Sequence, residues 1–111
     1  MTINIRTVDQ VTIFDLDGPL KAGEADQAFR NSVAEALSAG VMNLAVNLTG
    51  VSFLDSSGVG ALVRTFSALK EKGGEFRLFG ASKQAASTLR MVRLDKVLGM
   101  AEDEAAALSS F

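Results

Sequence analysis

The segment MNLAVNLTGVSFLDSSGVG, Met42 to Gly60, changes character twice within a short span. Its first part alternates strictly: Met42, Leu44, Val46 and Leu48 share one side, the period-two pattern of a strand with a buried face. Its end, Asp55-Ser56-Ser57-Gly58, has the composition of a helix start. The carboxylate and the two hydroxyls are each able to accept a hydrogen bond from free backbone N–H groups there. Val59, Leu62, Val63, Phe66 and Leu69 then recur at helical spacing and predict a helix from about Ser57 to Lys72. Lys70 and Lys72 favour its negative end, and Gly73-Gly74 caps it. Gly58 and Gly60 clear the first turn of side chains, so another backbone or a bulky group can approach closely. The corner suits a plain helix cap. It also suits an anion, because N–H groups and the helix dipole converge on it. The spacing and lysine of a P-loop are missing, and no base of the right kind makes it a nucleophile elbow.

Outward from this corner the chain continues in the same vein. Ile3 to Thr7 and Val11 to Leu16 are short β-branched runs set for an antiparallel hairpin, and Asp17-Gly18-Pro19 is turn chemistry. Ala25, Phe29, Val33, Ala36 and Leu37 predict a helix over Ala22 to Ala39, stopped by Gly40. Glu75 to Phe79 reads as a strand, Ser82 to Met91 as a serine-capped helix, and Lys96 to Met100 as a short last strand. Glu102-Asp103-Glu104 places acids before a final helix at Ala105 to Leu108. Strands alternating with helices after an opening hairpin give an α/β fold: a mostly parallel sheet of four to five strands with helices packed on it. No linker, repeat or low-complexity tract divides the 111 residues, so a single domain over 1–111 is expected.

Composition narrows the chemistry. Cysteine and histidine are both absent, which removes disulfides, thiolate nucleophiles, Ser-His-Asp triads and the usual zinc ligands. Neither metal nor cofactor is expected. Eleven basic against thirteen acidic residues, net −2, lack the electrostatic footprint of a nucleic-acid binder. The uncharged stretch Ala36 to Leu54 is too polar and broken for a membrane span and reads as buried core. No targeting segment opens the chain, and the lack of cysteine permits a cytoplasmic location. Phe29, Phe53, Phe66, Phe76 and Phe79 are in apolar phase and expected in the core. Arg77, Arg90 and Arg93 read as a solvated face, with an anion or partner patch as the alternative, and Phe111 is either free or docked.

Two resemblances compete for the function. Phe14-Asp15-Leu16-Asp17-Gly18-Pro19-Leu20 resembles the opening signature of haloacid-dehalogenase-type phosphatases, with Pro19 where that signature usually has threonine. It covers seven residues, and the later acidic pair of that family finds no match. The bland alternative places Asp15 on a solvated strand face and Asp17 in the turn. Much broader is the similarity to the STAS domain of bacterial anti-sigma factor antagonists, which spans about Ile3 to Leu108. It is carried by Gly18-x-Leu20, Leu44-Ala45-Val46-Asn47-Leu48, Val51-x-Phe53-Leu54-Asp55-Ser56-Ser57-Gly58-Val59-Gly60 and Gly73-Gly74-Glu75-Phe76. Several spaced motifs in order are far more specific than any one. The resemblance implies that Ser57 (alternatively Ser56) is a phosphoacceptor and that Asp55, Ser56, Ser57, Gly58, Val59, Gly60 and Lys21 meet a partner. Many family members carry an acid where this chain has Lys21. The implied partners are an anti-sigma factor with serine kinase activity and a serine phosphatase, without nucleic acid or membrane insertion. The implied function is a non-catalytic antagonist, with a non-switching scaffold subunit of a stress-sensing or lipid-transport complex as the alternative.

Overall fold

The computed structural model describes residues 1–111. Strands β1 (Thr2–Val8) and β2 (Val11–Asp17) form the expected antiparallel hairpin, with Val8 opposite Val11. Asp9 and Gln10 form its turn with φ of 50° and 69°, the left-handed pair that a two-residue hairpin of the I′ kind needs. From β2 onward every pairing is parallel: β3 (Asn43–Gly50) beside β2, β4 (Glu75–Phe79) beside β3, and β5 (Met100–Ala101) beside β4. The spatial order is β1-β2-β3-β4-β5, identical to the chain order.

That order has a geometric consequence. Each parallel step advances the sheet in one direction, and right-handed crossovers then set every connecting helix on the same face. Helices α1 (Glu24–Ser38), α2 (Ser56–Glu71) and α3 (Lys83–Met91) all contribute to one large core, built on Phe14, Leu16, Leu44, Val46, Leu48, Phe76 and Leu78 of the sheet. The alternate residues Val11, Ile13, Ala45 and Phe79 face the other way. The short α4 (Glu104–Ser109) covers them with Ala107, and Leu108 and Phe111 pack alongside. One helix thus keeps the reverse face dry.

Helix ends follow local chemistry. α1 stops where Val41 N–H bonds Ala36 carbonyl at 3.0 Å and Gly40 N–H bonds Leu37 carbonyl at 3.1 Å; α2 stops in the same way at Gly73 and Gly74. Ser82 and Asp103 cap α3 and α4 through the amides of Ala85 and Ala106.

Three expectations change. Only Met100 and Ala101 pair with β4, whereas residues 96–99 form turns, with Leu98 N–H bonding Leu94 carbonyl at 2.9 Å. The four-residue spacing of Leu94 and Leu98 is helical, and it turns Leu98 fully into the core. Of the five phenylalanines placed in the core, Phe29, Phe76 and Phe79 are buried, while Phe53 and Phe66 are half-buried. Phe66 meets Phe76 edge-on at 6.3 Å. Arg77 separates from Arg90 and Arg93: it donates to the Ser110 hydroxyl at 2.9 Å and carbonyl at 2.7 Å, and its guanidinium lies 5.0 Å from the Phe111 ring centre. Phe111 is docked, and Arg77 is structural rather than part of an open patch.

Candidate functional site

Among the three candidate caps, Asp55 is the one used. Its Oδ1 accepts the Gly58 amide at 2.8 Å, and Asp55 carbonyl accepts the first intrahelical bond from Val59 N–H at 3.0 Å. Ser56 and Ser57 consequently fall inside the first turn of α2, which begins one residue earlier than the apolar pattern suggests. The second carboxylate oxygen is also occupied: Oδ2 accepts the Ala22 amide at 3.0 Å. Those two amides, Ala22 first, hold the Asp55 carboxyl below the usual carboxylate range.

The bond to Ala22 fastens α2 to the segment after β2. There Leu20 forms an isolated parallel bridge with Leu54, donating to Phe53 carbonyl at 3.1 Å and accepting from Asp55 N–H at 3.4 Å. The bridge runs directly over the helix start: a Cβ on Gly58 would stand 2.2 Å from Leu20 carbonyl oxygen. Gly58 is buried for that reason and supports the site from beneath, with no side chain to offer a partner. Lys21 is exposed and adjoins Ala22 on the fastened segment. The Ala22–Asp55 bond thus brings the backbone next to Lys21 to the start of α2, although Lys21 is more than thirty residues from Asp55 in the chain. Ser56 is exposed; Ser57, Val59 and Gly60 are half-buried. No acid other than the cap lies in the first turn, so the positive end of the helix dipole is compensated by Asp55 alone.

The other acidic motif is built differently. Asp15 faces the α4 side of the sheet and accepts from Arg6 Nε at 2.7 Å, Asn47 Nδ2 at 2.8 Å and Asn4 Nδ2 at 3.2 Å. Arg6 also binds Glu104 on α4. The Arg6 guanidinium, helped by the two amides, holds the Asp15 carboxyl down to about 2. Asp15 is half-buried in a polar cluster rather than solvated on a bare strand face. Asp17 is exposed, and the β2–β3 register shifts between the two aspartates. No group of three potential metal ligands occurs, and no helix is long and apolar enough to cross a membrane.

Two features of the site had no signal in the sequence reading: the Asp55–Ala22 tie and the position of Arg64 on α2, whose guanidinium reaches Asp26 of α1 at 3.7 Å. Each joins segments that are remote in the chain or on different helices. Periodicity within one element cannot report them.

A hairpin-led, nearly parallel sheet with α1 to α3 on one face, α4 on the other and two serines in the first turn of α2 defines a small α/β module. Comparison with known families gives it a place: residues 2–107 match the STAS domain, and the chain belongs to that family. It is 33% identical over 105 residues to the anti-sigma-B factor antagonist of Listeria monocytogenes, covering 90% of this chain and 81% of that one. Among solved structures, it is similar to a putative anti-sigma factor antagonist of Thermotoga maritima, with TM-score 0.91, 22% identity and coverage of 97% and 92% of the two chains. It is also similar to the Bacillus cell fate determinant SpoIIAA in its phosphorylated form, with TM-score 0.75, 22% identity and coverage of 99% and 100%.

Proposed function

We propose that the chain is an anti-sigma factor antagonist that binds its anti-sigma factor kinase only while Ser57 is unphosphorylated. The supporting observation is the position of Ser57: half-buried in the first turn of α2, beside a cap whose two oxygens are already bonded. In this reading the lip formed by Lys21, Asp55, Ser56, Ser57, Val59 and Gly60 docks on the partner in the cytoplasm, and the sigma factor is released. Gly58 shapes the lip from below. The partner then transfers the γ-phosphoryl group of ATP to Ser57 Oγ; the P–O bond to ADP breaks, and the hydroxyl proton leaves to a base of the kinase. Ser56, the alternative acceptor, is one residue nearer the cap.

The helix N-terminus accommodates the added charge of about −1.5 to −2, so the domain itself needs no rearrangement. A partner must instead desolvate a dianion next to the Asp55 carboxylate, and binding is lost by repulsion. The chain is then a substrate and binding module, reset by a separate serine phosphatase, without catalysis of its own.

Binding of the wild type, Ser57→Ala and Ser57→Asp to the anti-sigma kinase of the same host tests this reading by calorimetry. Ser57→Ala should bind like wild type, and Ser57→Asp should lose affinity by about 100-fold. Equal binding by both variants rejects the charge switch and identifies a non-switching scaffold.

A further inference from the structure

Residues 57, 60 and 64 follow one another along a single stripe of α2, spaced i, i+3 and i+7. A Cβ on Gly60 would stand 3.3 Å from Arg64 Nη1, so the guanidinium is folded back over Gly60, one turn toward the helix start. Helical side chains lean toward the N-terminus, and the missing side chain at position 60 leaves the track open. The Cβ positions of residues 57 and 60 are about 5–6 Å apart. The guanidinium already covers most of that gap, and a phosphoryl group on Ser57 meets it by turning back about the Cβ–Oγ bond toward Gly60.

Arg64 is also uncommitted. Its acidic neighbour is Asp26, at 3.7 Å from Nη2 to Oδ1, which is too long for a hydrogen bond. That oxygen is buried and accepts no hydrogen bond, while Asp26 Oδ2 is already paired with Arg30 at 3.2 Å. The Arg64 side chain is 56% exposed.

We infer that Arg64 is the internal receptor for a phosphate on Ser57, closing on it across Gly60. The inference rests on the proposed phosphorylation of Ser57 and adds its regulation: the phosphorylated lip is latched by the chain's own cation. The guanidinium exchanges a long contact with Asp26 for charge-assisted bonds to phosphoryl oxygens, whose fork geometry it matches. Asp55 caps the same turn, Lys21 adjoins the Ala22 that Asp55 binds, and Asp26 and Arg30 of α1 pair with each other beside Arg64. Of the cations Lys21, Arg30 and Arg64, Arg64 is the one on the same stripe of the same helix as Ser57. Latching turns the phosphate toward the helix and away from an incoming phosphatase.

The test places phosphoserine at position 57 during translation by stop-codon suppression, so no kinase is needed. Phosphorus NMR then follows the second phosphate ionisation, ordinarily near about 6, in the wild type, Arg64→Gln and Gly60→Ala. The latch predicts a midpoint about half a unit lower in the wild type than in either variant, a threefold difference in the ionisation constant. A broad-specificity phosphatase should also release phosphate several-fold faster from both variants. The helix dipole and Lys21 act equally in all three proteins, so identical midpoints and release rates overturn the latch. That result would leave the partner-binding assay on Ser57 untouched. Conversely, an unswitched partner would reject the proposed function without altering the NMR comparison.

Discussion

Gly58 and Gly60 look equivalent in the DSSGVG run, yet they answer to different neighbours. The Cβ that Gly58 lacks would meet Leu20 carbonyl oxygen at 2.2 Å, and that atom is backbone held by the Leu20–Leu54 bridge. Gly58→Ala must push α2 away from that bridge, and we expect a loss of about 1–3 kcal/mol in urea unfolding. Faster hydrogen exchange at the Ala22 amide should accompany it, because Asp55 moves with the helix. At Gly60 the neighbour is the far end of Arg64, which swings aside. Gly60→Ala should be neutral or stabilising by up to about 1 kcal/mol, since alanine is the better helix former. Equal destabilisation at both positions would contradict the packing described.

At the scale of the element, α2 is a helix whose start is fastened to another segment by its own cap. Asp55→Ala removes the acceptors of both Gly58 and Ala22 amides, whereas Asp55→Asn keeps one carbonyl acceptor. The expected order of thermal midpoints is wild type, then Asn, then Ala, with a spread of a few degrees. Asp55 is more acidic folded than unfolded, so its contribution is complete above its unfolded value and declines as pH falls through the folded one. The gap between wild type and Asp55→Asn should therefore narrow below about pH 4. A gap independent of pH would show that the carboxylate charge is not what the two amides hold.

Across the whole molecule, the Arg6 cluster joins parts that no single element connects. Arg6 of β1 bonds Asp15 of β2 and Glu104 of α4, and Asn47 of β3 completes the shell around Asp15. α4, the cover of the reverse face, is thereby anchored to the opposite end of the chain. Asp15 is held at about 2 against an ordinary 3.8, so the cluster stabilises fully above about pH 5 and fades progressively toward about pH 1. The side chains are 25–37% exposed, which reduces the contribution to about 1 kcal/mol. Arg6→Gln should cost that amount in denaturant titrations at pH 7 and only a small part of it near pH 2. A cost undiminished at pH 2 would assign the effect to packing of the arginine stem rather than to charge.

Element order, the α/β class and most helix ends were legible in the chain because they depend on residues within a turn or two of one another. The alternation at Met42 to Leu48 and the stripe Val59 to Leu69 decided β3 and α2, and Gly40, Gly73-Gly74 and Ser82 mark the end of α1, the end of α2 and the start of α3. Asp55, Ser56 and Ser57 were recognisable as a helix start, although which of the three capped it depended on the turn's own geometry. Tertiary structure alone decided what the site's residues meet: Leu20 over Gly58, Ala22 on Asp55, Arg64 beside Asp26, Asp15 under Arg6, and Arg77 on Ser110. Periodicity reports the face on which a residue lies. Its partner depends on the neighbouring segment, which strand order and register place there only when the sheet assembles.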